Sequence, residues 1–187
     1  MMNKTLRCIC ECAVFTALAL ALSFPKIPIG ISFGGFGGSL DLVMIPLILC
    51  AIRWGTGWGL GVGLIFGTAK MFLSGGAALN WASILLDYSL AYMAVGFAGV
   101  LYRRANTAWL AALIGCLCRF AVHFLSGITI YADCVEDLFG LSIRSAWLYS
   151  LLYNATYMLP NTVLAVIACL LLSKPLAHFL SAEDIRK

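Results

Sequence analysis

Asp87 stands in SILLDYSLAYM (residues 83–93), a carboxylate inside a run that is otherwise apolar. An ionised side chain at the centre of a bilayer costs about 2.5–3.5 kcal/mol on insertion scales, so such residues face a cavity or a partner. Two kinds of partner compete for this one. Tyr88 is adjacent and Tyr92 lies on the same segment, while Tyr131, Tyr149, Tyr153 and Tyr157 fall at a comparable depth on neighbouring segments. A carboxylate among aromatic faces holds an organic cation by charge and cation–π attraction. The other reading is a structural ion pair with Arg119 or Lys70. Trp81 and Trp147, at segment ends, read as an interfacial aromatic belt.

The remaining intramembrane polar residues sort by helical spacing. In RFAVHFLSG, Arg119, His123 and Gly127 recur at i+4 and form one stripe. His123 is either a ligand contact or a core histidine bonded to a carbonyl. Gly127, one turn further, leaves room for a flat ring to approach the backbone. Asn154 reaches the same depth from the last apolar segment, and Asn161 lies further along it. Lys70 is close enough to a segment end to extend its ammonium to the membrane face.

The elements that must position these groups follow from composition. Of 187 residues, 63% are hydrophobic and only 11% charged, with a mean hydropathy of +0.99. So few charges cannot wet the surface of a soluble domain. The sequence predicts an all-α integral membrane protein of one domain, residues 1–187. Six transmembrane helices are expected, over about 6–24, 40–52, 60–73, 81–102, 107–131 and 146–172. PKIPIGISFGGFGGS (25–39) is too rich in Gly and Pro to cross lipid alone and is expected to act as a lid. Lys4, Arg7, Arg53, Arg103, Arg104, Lys174, Arg186 and Lys187 fall on one side of this arrangement. The loop containing Asp133, Glu136 and Asp137 falls on the other, so both termini are expected in the cytoplasm of a cell-membrane protein.

Several chemistries are excluded. GLIFGTAK lacks the spacing of a phosphate-binding loop, and neither HExxH nor a serine elbow occurs. No nucleophile is placed beside Asp87 and His123, so no enzyme is expected, nor any cofactor, metal or nucleic-acid partner. The eight cysteines include pairs spaced by two, about 200° apart on a helix, and read as apolar filler. Ala13, Ala17 and Ala21 recur at i+4 in the first helix, a face that lets another helix pack closely, within this chain or from a partner.

Taken in order, MIPLILCAIRWGTGWGLGVGLIFGTAKMF, LDYSLAYMAVGFAGV, HFLSGITIYAD and WLYSLLYNATYMLPN resemble the thiamine-specific substrate-binding (S) component of energy-coupling factor (ECF) transporters. The resemblance covers nearly the whole chain. It implies a six-helix protein that binds thiamine from outside, beneath its first extracellular loop. It also implies delivery to a module of one transmembrane subunit and two ATPase subunits, docked on the Ala13, Ala17 and Ala21 face. Carried over by residue, the family's acidic–tyrosine pair becomes Asp87 and Tyr88. Its His and Gly become His123 and Gly127, its stacking aromatic Tyr131, and its last-helix Tyr and Asn become Tyr149 and Asn154. Asp87 replaces a glutamate and Tyr131 a tryptophan, while Phe36 or Phe33 stands in for a first-loop tryptophan. The alternatives are an S component for another vitamin or a pyrimidine precursor, or a small intramembrane enzyme using Asp87 and His123.

Overall fold

The computed structural model describes residues 3–28, 38–73, 80–131, 137–138 and 141–185. Helix α1 (Lys4–Leu22) starts where the Asn3 side chain accepts from the Thr5 N–H. Strands β1 (Ile27–Pro28) and β2 (Ser39–Leu40) pair antiparallel. Then come α2 (Met44–Trp54), α3 (Thr56–Leu73), the compound helix α4 (Trp81–Leu101) and α5 (Ala108–Thr129). A small β3–β4 pair (Asp137–Leu138, Leu141–Ser142) precedes α6 (Ala146–Ser173) and the short α7 (Ala177–Leu180). Among the described residues α1, α4, α5 with its preceding turn, and α6 are long and apolar enough to cross a bilayer, and α2 is a shorter apolar helix. The chain is a helical membrane bundle.

Two expected boundaries shift, each for a local reason. The second helix starts at Met44 rather than near residue 40, because Ser39 and Leu40 pair with Pro28 and Ile27. The third starts at Thr56 rather than near residue 60, since the turn needs only Gly55 at φ 92°, a conformation open to glycine. Helix α2 forms the centre of the core, where Leu47, Ile48, Cys50 and Ile52 pack with Phe66, Val95 and Ala108. Helices α3 and α4 touch backbone to backbone. A Cβ on Gly63 or Gly67 would strike the carbonyls of Tyr92 and Tyr88, and one on Gly96 would strike the Gly59–Leu60 peptide. Such contact substitutes close packing for a hydrophobic drive that lipid does not supply.

The sequence analysis counted Arg53 only among the basic residues on one side of the bundle, and the structure buries it. Its side chain is 0% exposed. It donates to Glu11 of α1, to both Asp184 oxygens at 3.0 Å, and to the Phe179 carbonyl, with the guanidinium 3.7 Å from the Phe179 ring centroid. Arg7 bonds the same two carboxylates, and Trp54 Nε1 donates to Glu11. The network ties α1, α2 and the C-terminal segment together, and removing Arg53 leaves the half-buried carboxylates of Glu11 and Asp184 with Arg7 as their remaining charged partner. Arg53→Ala is therefore expected to destabilise the fold by about 3–5 kcal/mol. The Arg53 hydrogen bonds hold the Asp184 carboxyl below its ordinary value near 3.8. A carboxyl with a depressed folded pKa adds stability above its unfolded pKa and loses it as pH falls through the folded one. The melting temperature should thus fall as pH drops below about 3.8, and less steeply in Asp184→Asn. Equal acid sensitivity of the two proteins would refute the clamp.

Candidate ligand-binding site

The turn that carries Asp87 is not ordinary α-helix. After a capping box between Asn80 and Ser83, residues Leu85–Leu90 form a π-helical turn, Ala91–Val95 return to α, and Gly96–Leu101 tighten to 3-10. A π turn inserts one extra residue and rotates what it carries relative to the rest of the helix, a device common at functional sites. Neighbours hold it in place: Gly67 of α3 lies against the Tyr88 carbonyl, and the hydroxyls of Thr68 and Ser89 are 3.0 Å apart.

Asp87 then meets two of the expected residues. Its Oδ1 lies 3.3 Å from His123 Nδ1, and its Oδ2 accepts from the Tyr131 hydroxyl at 3.3 Å. The carboxylate side chain is 18% exposed and the imidazole 11%. His123 packs edge-on against Tyr157 with ring centroids 6.2 Å apart. The Tyr157 hydroxyl donates to Asn154 Oδ1 at 2.6 Å, while Asn154 Nδ2 donates to the Ser150 carbonyl at 2.9 Å. Tyr149 stacks on Tyr153 at 5.9 Å, and Tyr153 meets Tyr157 at 6.0 Å. Asp87, His123, Tyr131, Tyr149 and Asn154, read from separate segments, thus join one chain of contacts. Tyr88, next to Asp87 in the chain, is half-buried. Phe36 lies outside the described residues, as does most of the first loop.

Tyr157 links His123 to Asn154, yet the sequence reading had it only as one of several tyrosines at that depth. Its partners come from two helices, which spacing on one helix cannot reveal. Gly127 serves differently from expectation. A Cβ there would strike the Ser150 side chain, so the glycine lets α5 and α6 approach instead of leaving room for a ring. Ser150 then donates to the Phe124 carbonyl at 3.0 Å.

The structural pairs expected as rivals for Asp87 are absent among the described residues. Lys70 turns inward rather than to the membrane face, donating to Tyr92 Oη at 2.6 Å and pairing with Asp41 at 3.4 Å. Arg119 donates to Tyr92 Oη at 3.1 Å, contacts Met44 Sδ at 3.2 Å and lies over the Tyr92 ring. Asp41, which the sequence reading did not single out, is the carboxylate that pairs with Lys70. Asn161 fixes the adjoining chain, accepting from the Asp41 N–H at 3.0 Å and donating to the Ser39 carbonyl at 2.7 Å. Both nearby cations are committed away from Asp87. His123 Nε2 is buried with no partner among the described residues. A carboxylate, an imidazole nitrogen and a wall of tyrosines make a site for a flat cation with hydrogen-bonding edges.

An apolar helical bundle with such a site is a membrane protein that captures a small molecule. The chain belongs to the thiamine transporter protein family (Thia_YuaJ), whose model matches residues 9–180. It is 32% identical to the thiamine transporter ThiT of Bacillus subtilis, over 90% of this chain and 92% of that one. It is 25% identical to ThiT of Lacticaseibacillus paracasei over 88% and 86%. A solved structure of ThiT from Listeria monocytogenes superposes with a TM-score of 0.79, at 28% identity, covering 95% of this chain and 99% of that one. The family is one of transporters and not of enzymes.

Proposed function

We propose that this chain binds thiamine with high affinity from the extracellular side and delivers it for uptake as the S component of an ECF transporter. In this reading residues 1–187 form one domain that crosses the cell membrane six times with both termini in the cytoplasm. One observation carries the substrate assignment: Asp87 faces His123 and Tyr131 while Lys70 and Arg119 are held by Asp41, Tyr92 and Met44. Its negative charge is thereby left for a ligand, and thiamine brings a permanently cationic thiazolium and an aminopyrimidine with adjacent donor and acceptor groups. Names of the ThiT relatives point to the same compound.

Asp87, Tyr88, His123, Tyr131, Tyr149 and Asn154 are the binding residues in this reading. Gly127 acts by closing α5 on α6, and Phe36 contributes from the loop that covers the site. Ala13, Ala17 and Ala21 are all exposed on α1, which supports a role for them in docking the ATP-driven module. Titration of the purified protein with thiamine, hydroxymethylpyrimidine and other vitamins tests the substrate. Dissociation constants for thiamine well below micromolar are expected, with no turnover of the ligand. Millimolar thiamine binding beside tight binding of another compound would overturn the assignment.

A further inference from the structure

The turn after α4 carries two arginines that the transport reading does not use. Arg103 has φ 60°, a left-handed conformation that is unfavourable for a residue with a Cβ. It is pinned there by its own N–H, which donates to the Ile52 carbonyl at the end of α2 at 2.8 Å, and Arg104 N–H closes the turn on Leu101 at 3.1 Å. The Arg103 guanidinium lies 4.5 Å from the Tyr102 ring centroid, and its Nε is buried without a hydrogen-bond partner. Arg104 is exposed.

No ion pair joins either arginine to a carboxylate among the described side chains. Glu11 and Asp184 bond Arg7 and Arg53, Asp41 pairs with Lys70, Asp87 lies against His123 and Tyr131 in the ligand site, and Glu183 faces His178. Around the same end of the bundle Trp58, Tyr102 and Trp109 are exposed, at the start of α3, the end of α4 and the start of α5. Exposed aromatics at helix ends mark the level of lipid headgroups. A guanidinium fixed at that level offers parallel N–H donors matched to a phosphate.

We propose that Arg103 and Arg104 form a binding site for the headgroup phosphate of an anionic phospholipid, with the strained backbone of Arg103 aiming its guanidinium. Basic residues at the ends of membrane helices recognise such headgroups by charge, and the fixed turn adds geometry to it.

The test is lipid retention. Wild type, Arg103→Gln, Arg104→Gln and Lys174→Gln are purified from mixed phosphatidylglycerol and phosphatidylcholine nanodiscs into mild detergent, and bound lipid is counted by native mass spectrometry. Wild type should keep phosphatidylglycerol in preference to phosphatidylcholine. Each arginine variant should keep about fivefold less, and Lys174→Gln should match wild type. Arg103→Gly should melt no lower than wild type, since glycine adopts this φ without strain, yet still lose the lipid. Equal loss in Lys174→Gln would reduce the effect to general positive charge and overturn the site. Displacement by millimolar inorganic phosphate would assign it to a free anion instead of a lipid. Retention unchanged in both arginine variants, with a co-purified protein lost instead, would assign the turn to a protein partner.

Discussion

Asp87→Asn is expected to weaken thiamine binding by at least about tenfold, or roughly 1.4 kcal/mol. Asparagine keeps the size of the side chain and can still bond Tyr131 and His123, so the site should remain folded. Only the charge is removed. Truncating one member of a buried charge pair costs about 2–5 kcal/mol, so tenfold is a lower bound. The carboxylate is 18% exposed and has no lysine or arginine within ion-pair distance among the described residues. The loss can be divided between the two halves of the ligand. If Asp87 balances the thiazolium, the variant should bind a neutral aminopyrimidine fragment as well as wild type does. If Asp87 accepts from the amino group, both ligands should weaken together. Isothermal titration with the two compounds reads this directly, and unchanged thiamine affinity would mean that the carboxylate only orients His123.

The membrane bundle and much of the site were legible because lipid imposes simple rules on sequence. Long apolar runs mark α1, α4, α5 and α6, and an ionisable residue within one is conspicuous. What the pattern could not show was pairing across helices. Lys70 looked able to reach the membrane face, but Asp41 and the Tyr92 hydroxyl lie within its reach and hold it inside. Arg53 read only as one of the basic residues on one side, whereas Glu11 and Asp184, far away in sequence, bond its buried guanidinium. The π turn at Leu85–Leu90 leaves no signature in composition either, although it sets where Asp87 points. Gly59, Gly63 and Gly67 recur at i+4, a stripe the sequence analysis did not single out. Their role beside Gly96 emerges only when α3 and α4 are seen backbone to backbone.

Ala17→Trp is expected to abolish uptake in cells while leaving thiamine binding by the purified protein intact. Accumulating a solute against its gradient needs an energy source, and the chain has no phosphate-binding loop. In the proposed reading, coupling comes through a surface that docks an ATP-driven partner. On α1, Cys8, Cys12 and Ala19 are buried against the bundle while Ala13, Ala17 and Ala21 are exposed. Faces of small residues permit helix axes to approach until backbones touch, and an indole in the middle of such a face holds them apart. The substitution lies on the outer side of α1 and touches no residue of the binding site, so a lost affinity would point to misfolding and not to blocked docking. Three measurements separate the cases: thiamine titration, uptake of labelled thiamine, and co-purification of the ATPase complex. Binding retained with uptake and co-purification both lost is the expected pattern. Normal uptake in Ala17→Trp would move the docking surface elsewhere. Thiamine accumulation by the wild-type chain alone, in vesicles without ATP, would remove the need for a partner altogether.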